Sequence, residues 1–219
     1  MTSWDLLYHV LRANYDGVDS GYAKAPTPDE NEGSMTYNYG HQVTDIEFKS
    51  GGPLVVKAKT SSGDAVSFNA DLLIGADGPS STIRKFIDPS IQRKYAGYVA
   101  WRGTVPENEV SSTARDVFVE KFPFFHTQGV QILAYTIPGH NGAVKKGKRL
   151  LNWVWYCNYK EESLEHVELM TDKDGKRHHI TLPPGGVQEH VWKRQKRRAR
   201  DVLPPQFAEL VEKTEVPFI

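Results

Sequence analysis

The sequence is short of cysteine, of net charge and of long apolar runs. A single cysteine, Cys157, in 219 residues excludes an intrachain disulfide framework and fits a reducing, cytoplasmic setting. The 27 basic and 27 acidic side chains cancel, so no global field draws the chain to nucleic acid or to an anionic membrane. No segment approaches the roughly 20 apolar residues of a membrane span. MTSWDLLYHVLR has no basic stretch followed by an apolar one, so it is not a signal peptide. No HxxxH or CxxC spacing occurs, and no metal is expected. GxGxxG is absent too, so the chain carries no full dinucleotide fingerprint.

What is present suffices for a core in one large domain or two small ones. Met1 and Thr2 run straight into a helix pattern, with Ser3 as N-cap and Trp4, Leu7, Tyr8 and Leu11 on one face. This helix is expected over about residues 4–15, stopped by Asp16-Gly17. Residues 18–36 are polar and turn-rich, with Pro26, Pro28, Asp29, Glu30, Glu32 and Gly33, and predict an exposed loop. HQVTDIEF, PLVVKAKT and AVSFNADLLIG then predict a three-stranded meander, with a helix at Ile83–Ile87 after it. Beyond Asp88-Pro89, KYAGYVAWRGTV, KFPFFH, VQILAYTI, LLNWVWYCNY and HHITLP predict an antiparallel sheet over about 91–183. Two helices are expected at about 187–201 and 204–214, split by Pro204-Pro205. The fold class is α+β. The chain ends at Glu-Val-Pro-Phe-Ile, and both termini are read as cuts through a larger fold.

The stretch DLLIGADGPSSTIR (71–84) carries the chemistry. Leu72, Leu73 and Ile74 predict a strand buried on both faces. Gly75, Ala76 and Gly78 let the backbone approach another body. Ser80 or Ser81 caps a helix whose first N–H groups suit a phosphate or a nucleotide hydroxyl. Asp77 adds a carboxylate for a ribose or ribityl hydroxyl, and Arg84 a cation one turn in. An ordinary tight strand–helix turn with a capping serine explains the same residues.

DLLIGADGPSSTIR resembles the Asp-Gly FAD-binding motif of the single-component flavoprotein aromatic hydroxylases, the para-hydroxybenzoate hydroxylase fold. SWDLLYHVLR, YAGYVAWRGTV, LLNWVWY and LPPQFAELV are similar, in order, to the branch around 2,6-dihydroxypyridine and urate hydroxylases. The resemblance implies a partial, Rossmann-like FAD-binding domain (1–89), a substrate-binding antiparallel sheet (90–186) and C-terminal helices (187–219). It implies FAD contacts at Gly75, Asp77 and Gly78, with Arg84 supporting the loop or meeting NADPH. It implies hydroxylation of a small aromatic or heterocyclic substrate with NAD(P)H and O2. The family's N-terminal GxGxxG unit and its later Gly-Asp motif have no counterpart here, and Ser3, Trp4 and Asp5 stand where many relatives place an FAD-holding Arg or Gln. The chain is therefore expected to bind FAD weakly or not at all and to be inactive alone. A non-catalytic module that binds a small molecule, self-associates or pairs with a chain carrying the missing half is the alternative.

Alternation chooses faces in the second sheet. On VQILAYTI, Gln131, Leu133 and Tyr135 share one side; on LLNWVWYC, Asn152, Val154 and Tyr156 share one side, with Trp153, Trp155 and Cys157 on the other. Gln131, Tyr135 and Asn152 are the candidate substrate residues. Either they line a pocket, or they face water over a tryptophan core. Tyr135, Tyr156 and His126 are candidates for deprotonating a substrate hydroxyl, and no catalytic residue is assigned. KRQKRRAR (193–200) reads as a nucleic-acid patch or as the solvated face of a helix with Val187, Val191, Val202 and Leu203 inward; the second is adopted. Asp172-Lys173-Asp174-Gly175 has Arg177 at its sixth position and Pro183 at its twelfth, so it is a hairpin turn rather than a calcium loop.

Overall fold

The computed structural model describes residues 3–31 and 33–219. Met1, Thr2 and Glu32, which the sequence reading used, lie outside them. Two compact units divide the chain, Met1–Asn31 with Ala96–Ile219, and Glu32–Tyr95.

In the smaller unit, β1 (Gln42–Glu47), β2 (Leu54–Lys59) and β3 (Ala65–Ala70) form the expected meander in the order β1-β2-β3. Gly51 and Gly63 turn it at φ 73° and 96°. Val55, Val56 and Ala58 are the buried side chains of β2. Helix α2 spans Thr82–Ile87, with Ser81 as its cap accepting from the Arg84 amide at 2.9 Å.

The expected strand at Leu72–Ile74 does not form. β2–β3 pairing ends at Leu54–Ala70, and among the described residues no other strand offers a ladder to 71–75. Without such a partner an apolar run cannot become a buried strand. Leu72 is 75% and Ile74 77% exposed.

The larger unit begins with α1 (Trp4–Asp16). Ser3 Oγ accepts the Leu6 amide at 3.2 Å, and Gly17 ends the helix at φ 69°. Its inner side holds Arg12, which donates to both Asp16 oxygens at 2.8 and 2.6 Å and to Tyr8 Oη at 2.7 Å. The apolar stripe points outward, with Trp4, Leu7 and Leu11 exposed.

β4 (Tyr98–Pro106), β5 (Phe124–Thr127), β6 (Val130–Ile137) and β7 (Leu150–Asn158) make an antiparallel sheet in the order β4-β7-β6-β5. Every second side chain of β4 and β7 enters one layer: Trp101, Val105, Leu151, Trp153, Trp155 and Cys157 are buried. Helices α5 (Glu189–Val202) and α6 (Pro205–Lys213) lie near the expected bounds. Trp192 of α5 stacks on Trp101 and Trp153 at 5.5 and 6.5 Å, and Phe207 of α6 meets Phe118 edge-on at 4.9 Å. Phe218 pairs with Arg102 on the outer edge of β4, which blunts that edge. Cys157 belongs to the core. Burial among the tryptophans pushes its thiol up to about 11, and Gln195 donates to its sulfur at 3.3 Å.

Three expectations change in this unit. HHITLP is not a strand: His178 is held by the Asp172 carboxylate at 2.7 Å, and Leu182 pairs with Ile219 alone. His178 and His179 therefore do not occupy opposite faces of a sheet. Two short helices interrupt the region read as all strand, α3 (Ser112–Phe118) and α4 (Leu164–Leu169), each opened by a serine cap. Val202 is turned outward; Val191, Gln195, Ala199 and then Leu203 make the inner row of α5. The Asp172–Gly175 turn forms as read, with Asp172 Oδ1 accepting from the Asp174 and Lys176 amides at 3.0 and 2.9 Å.

Basic side chains of α5 are largely engaged within the protein. Arg194 pairs with Glu168 at 2.6 Å, Arg200 with Glu212 at 3.0 Å and Lys193 with Glu189 at 2.5 Å. Lys196 and Arg198 lie over Trp192 and Trp155. Among the described residues no helix is long and apolar enough to cross a membrane, and no cluster of His, Cys, Asp or Glu is suited to a metal ion.

Candidate functional site

Two places carry the sequence-derived site residues, one in each unit. In the smaller unit, residues 75–80 form an exposed edge leading into α2. Gly75 is small for a local reason. A Cβ there would meet Ile83 Cγ2 at 2.8 Å, so glycine lets α2 pack closely against the extended segment that precedes it. Gly78 turns the chain at φ 74° with nothing within 4 Å of its missing side chain. The space outside it is open.

Asp77 lies over the start of α2. Its Oδ1 accepts from the Ser81 hydroxyl at 2.5 Å, and its Oδ2 from the Thr82 and Ile83 amides at 2.6 and 3.1 Å. The carboxylate thus satisfies orphan donors of the helix terminus. Arg84 donates to the Pro79 carbonyl, and its Nε is buried without a hydrogen-bond partner. This edge fits the polar arm of a nucleotide cofactor as one wall, with open space at Gly78 and an unused guanidinium N–H. It is not a full cradle, because Asp77 is already committed to α2.

The Ser81 hydroxyl, followed by the Ile83 and Thr82 amides, holds Asp77 below its ordinary 3.8. A depressed folded-state value means its contribution is present above the unfolded pKa and is lost as pH falls through the folded one. Amide resonances of Thr82 and Ile83, followed by NMR from pH 5 to about 2, are expected to titrate with a midpoint below 3.8. In Asp77→Asn that titration should vanish.

The larger unit supplies the second place. The sheet face opposite the tryptophans carries Gln131, Leu133 and Tyr135 of β6 and Asn152, Val154 and Tyr156 of β7. Register puts Tyr135 beside Asn152 and Gln131 beside Tyr156. The three candidate substrate residues therefore share one face of the sheet, alternation grouping them along each strand and the register joining the strands. At one end of it a groove of about 450 Å³ is lined by Tyr98, His126, Gln131, Tyr156 and Asn158. Tyr98 and Tyr156 meet edge-on at 5.4 Å and 79°. Tyr135 and Asn152 lie further along the face, outside that groove, with Tyr135 against Phe122 at 5.5 Å.

Sequence reasoning did not find Tyr98 or Asn158. They are a register pair on β4 and β7; alternation places Tyr98 on the Ala100–Arg102–Thr104 side of β4, and the strand order was needed to bring it beside Tyr156. His126, put forward for proton transfer, is the register partner of Gln131 and lines the groove. The lining is largely polar: Tyr98 and Tyr156 supply an aromatic wall, and His126, Gln131 and Asn158 supply hydrogen-bonding groups.

The family described as FAD binding domain-like matches residues 95–219. The chain is 32% identical over 156 residues to 2,6-dihydroxypyridine 3-monooxygenase of Paenarthrobacter nicotinovorans, covering 71% of this chain and 38% of that protein. It is 31% identical over 80 residues to the FAD-dependent urate hydroxylase of Mycolicibacterium vanbaalenii, covering 36% and 20% respectively. The solved structure of 2,6-dihydroxypyridine-3-hydroxylase from Arthrobacter nicotinovorans superposes with a TM-score of 0.70 at 29% identity, over 85% of this chain and 44% of that one. The chain spans less than half the length of these relatives.

Proposed function

The chain belongs to the FAD binding domain-like family, and on that premise we propose that it is the central part of an FAD-dependent monooxygenase. The reaction is hydroxylation of a small aromatic or heterocyclic ring, with NAD(P)H as reductant and O2 as oxidant. Residues 1–89 are the partial FAD-binding portion, 90–186 the substrate sheet and 187–219 the helices behind it. The observation that carries this reading is the groove on the open sheet face, where Tyr98, Tyr156, Gln131 and His126 converge. The similarity to 2,6-dihydroxypyridine 3-monooxygenase makes a hydroxylated pyridine the first substrate to try.

The bound flavin supplies the oxygen-transfer chemistry. The chain's own residues bind and orient. The Tyr98–Tyr156 pair offers an aromatic wall to one edge of the ring, and Gln131 and Asn158 donate and accept at its substituents. His126 takes the proton of a ring hydroxyl, and Tyr135 and Asn152 extend the polar surface along the face. Gly75, Asp77, Gly78 and Arg84 supply one wall for the cofactor's polar arm. The buried, reduced Cys157 suits a cytoplasmic protein.

Mixing the purified chain with FAD and following flavin fluorescence tests the cofactor half of this reading. Weak, saturable quenching that is lost on desalting is the expected result. No quenching at about 1 mM FAD removes the role given to residues 75–84, and a stoichiometric yellow product after desalting contradicts weak binding. The second reading, a module that pairs with a copy of itself or another chain, is favoured by one observation, the outward apolar stripe of Trp4, Leu7 and Leu11. Size-exclusion of the same sample decides it: elution at 24.7 kDa removes self-association.

A further inference from the structure

We propose that a second cleft, at the opposite end of the sheet from the groove, binds a small polyanion. It measures about 730 Å³ and lies between the end of β4, α3 and residues 146–149, within the size range of ligand sites. Tyr98 and Pro106 mark the two ends of β4, so the cleft and the groove stand roughly 25 Å apart. A ligand here would not share the substrate's site.

The cleft's charge is four cations, Arg115, Lys121, Lys146 and Arg149, against two carboxylates, Glu107 and Asp116. Glu107 is used up. One oxygen accepts from the Gly147 amide and the other from Arg149 Nε at 2.8 Å. Glu120, on the rim and at φ 60°, takes Arg149 Nη1 at 2.9 Å and lies 4.0 Å from Lys146 Nζ.

Arg115 and Lys121 differ from these. Arg115 Nη1 donates to the Val110 carbonyl at 2.6 Å and Lys121 Nζ to the Asp116 carbonyl at 2.5 Å. Among the described residues neither is in an ion pair. Two cations are thus anchored by neutral carbonyls, on one cleft wall, with their remaining donors unspent. Such donors favour charged oxygen acceptors, which form shorter and stronger hydrogen bonds than neutral ones. The ligand class is a small anion with two or more charges presented by oxygen, a phosphate or a dicarboxylate.

Calorimetric titration of the full chain with inorganic phosphate and, separately, succinate tests this without any enzyme activity, so it stands or falls apart from the monooxygenase reading. Saturable binding of at least one anion at about 1 mM is expected. Arg115→Ala with Lys121→Ala should weaken it about tenfold or more, with an unchanged melting curve, because both side chains are exposed. Tighter phosphate binding marks the tetrahedral oxyanion as the ligand, tighter succinate binding the dicarboxylate. Lys173→Ala, remote and exposed, should change nothing. No saturable binding of either anion below about 10 mM, or equal weakening by Lys173→Ala, overturns the proposal.

Discussion

Trp153→Ala is expected to destabilise the larger unit by about 3–5 kcal/mol, the range for emptying a buried aromatic site. Trp153 is 0% exposed. Its indole N–H donates to Thr214 Oγ1 at 2.9 Å, and its ring lies parallel to Trp192 at 6.5 Å. Gly103, its register partner on β4, exists to make this room: a Cβ there would come within 2.8 Å of Trp153 Cζ2 and 2.6 Å of Thr214 Cγ2. The alanine variant therefore leaves a cavity walled by rigid sheet and helix, which cannot collapse cheaply. Thr214 still donates to the Leu210 carbonyl at 2.8 Å, so little of the loss comes from an unsatisfied hydroxyl. Trp153→Phe keeps most of the volume and should cost about 1–2 kcal/mol. Urea unfolding followed by circular dichroism, with m unchanged, measures both.

Arg149→Met should cost about 3 kcal/mol or more, through the partner it abandons. Arg149 and Glu107 side chains are 3% and 4% exposed. Without the guanidinium, the Glu107 carboxylate stays buried with the Gly147 amide as its remaining partner. The companion change Glu107→Leu removes that charge. If stranded charge is the cause, Arg149→Met with Glu107→Leu recovers most of the loss. If the double variant is as unstable as the single one, the pair itself was supplying the stability, and the desolvation argument fails. The double-mutant cycle separates these outcomes.

Segments with a long, unambiguous period were legible in the sequence. α1, the meander, β4 through β7, α5 and α6 each carry a run of apolar spacing bounded by a cap, glycine or proline. Errors fell where a distant partner decides. Leu72–Ile74 reads as a buried strand by composition, yet strand formation needs a neighbour's ladder, and among the described residues none reaches it. HHITLP alternates correctly but is tied down by the nearby Asp172 turn and by Ile219, far away in sequence. Helix α3 is too short to declare itself by period; its cap Ser111 is fixed by Glu209 of α6 at 2.6 Å.

The candidate site divides along the same line. Alternation put Gln131 with Tyr135 on one side of β6 and Asn152 with Tyr156 on one side of β7, because side-chain direction in a strand is a local property; the β6–β7 register joined the two sides into one face. The groove is not local. Tyr98 and Asn158 complete its wall only because β7 lies between β4 and β6. Asp77 was read as a free carboxylate for a ligand hydroxyl, and geometry gives it a helix terminus to cap as well. The anion cleft escaped notice for a related reason: Arg115, Lys121 and Arg149 are scattered in sequence and meet at one sheet end.

A single experiment bears most directly on the assignment of the open sheet face. The isotopically labelled chain is titrated with 2,6-dihydroxypyridine while backbone amide shifts are followed. Saturating changes centred on Tyr98, His126, Gln131 and Tyr156, absent in Gln131→Ala, are the expected outcome. Shifts confined to other regions, or none at about 10 mM ligand, would contradict the view that this face receives the ring.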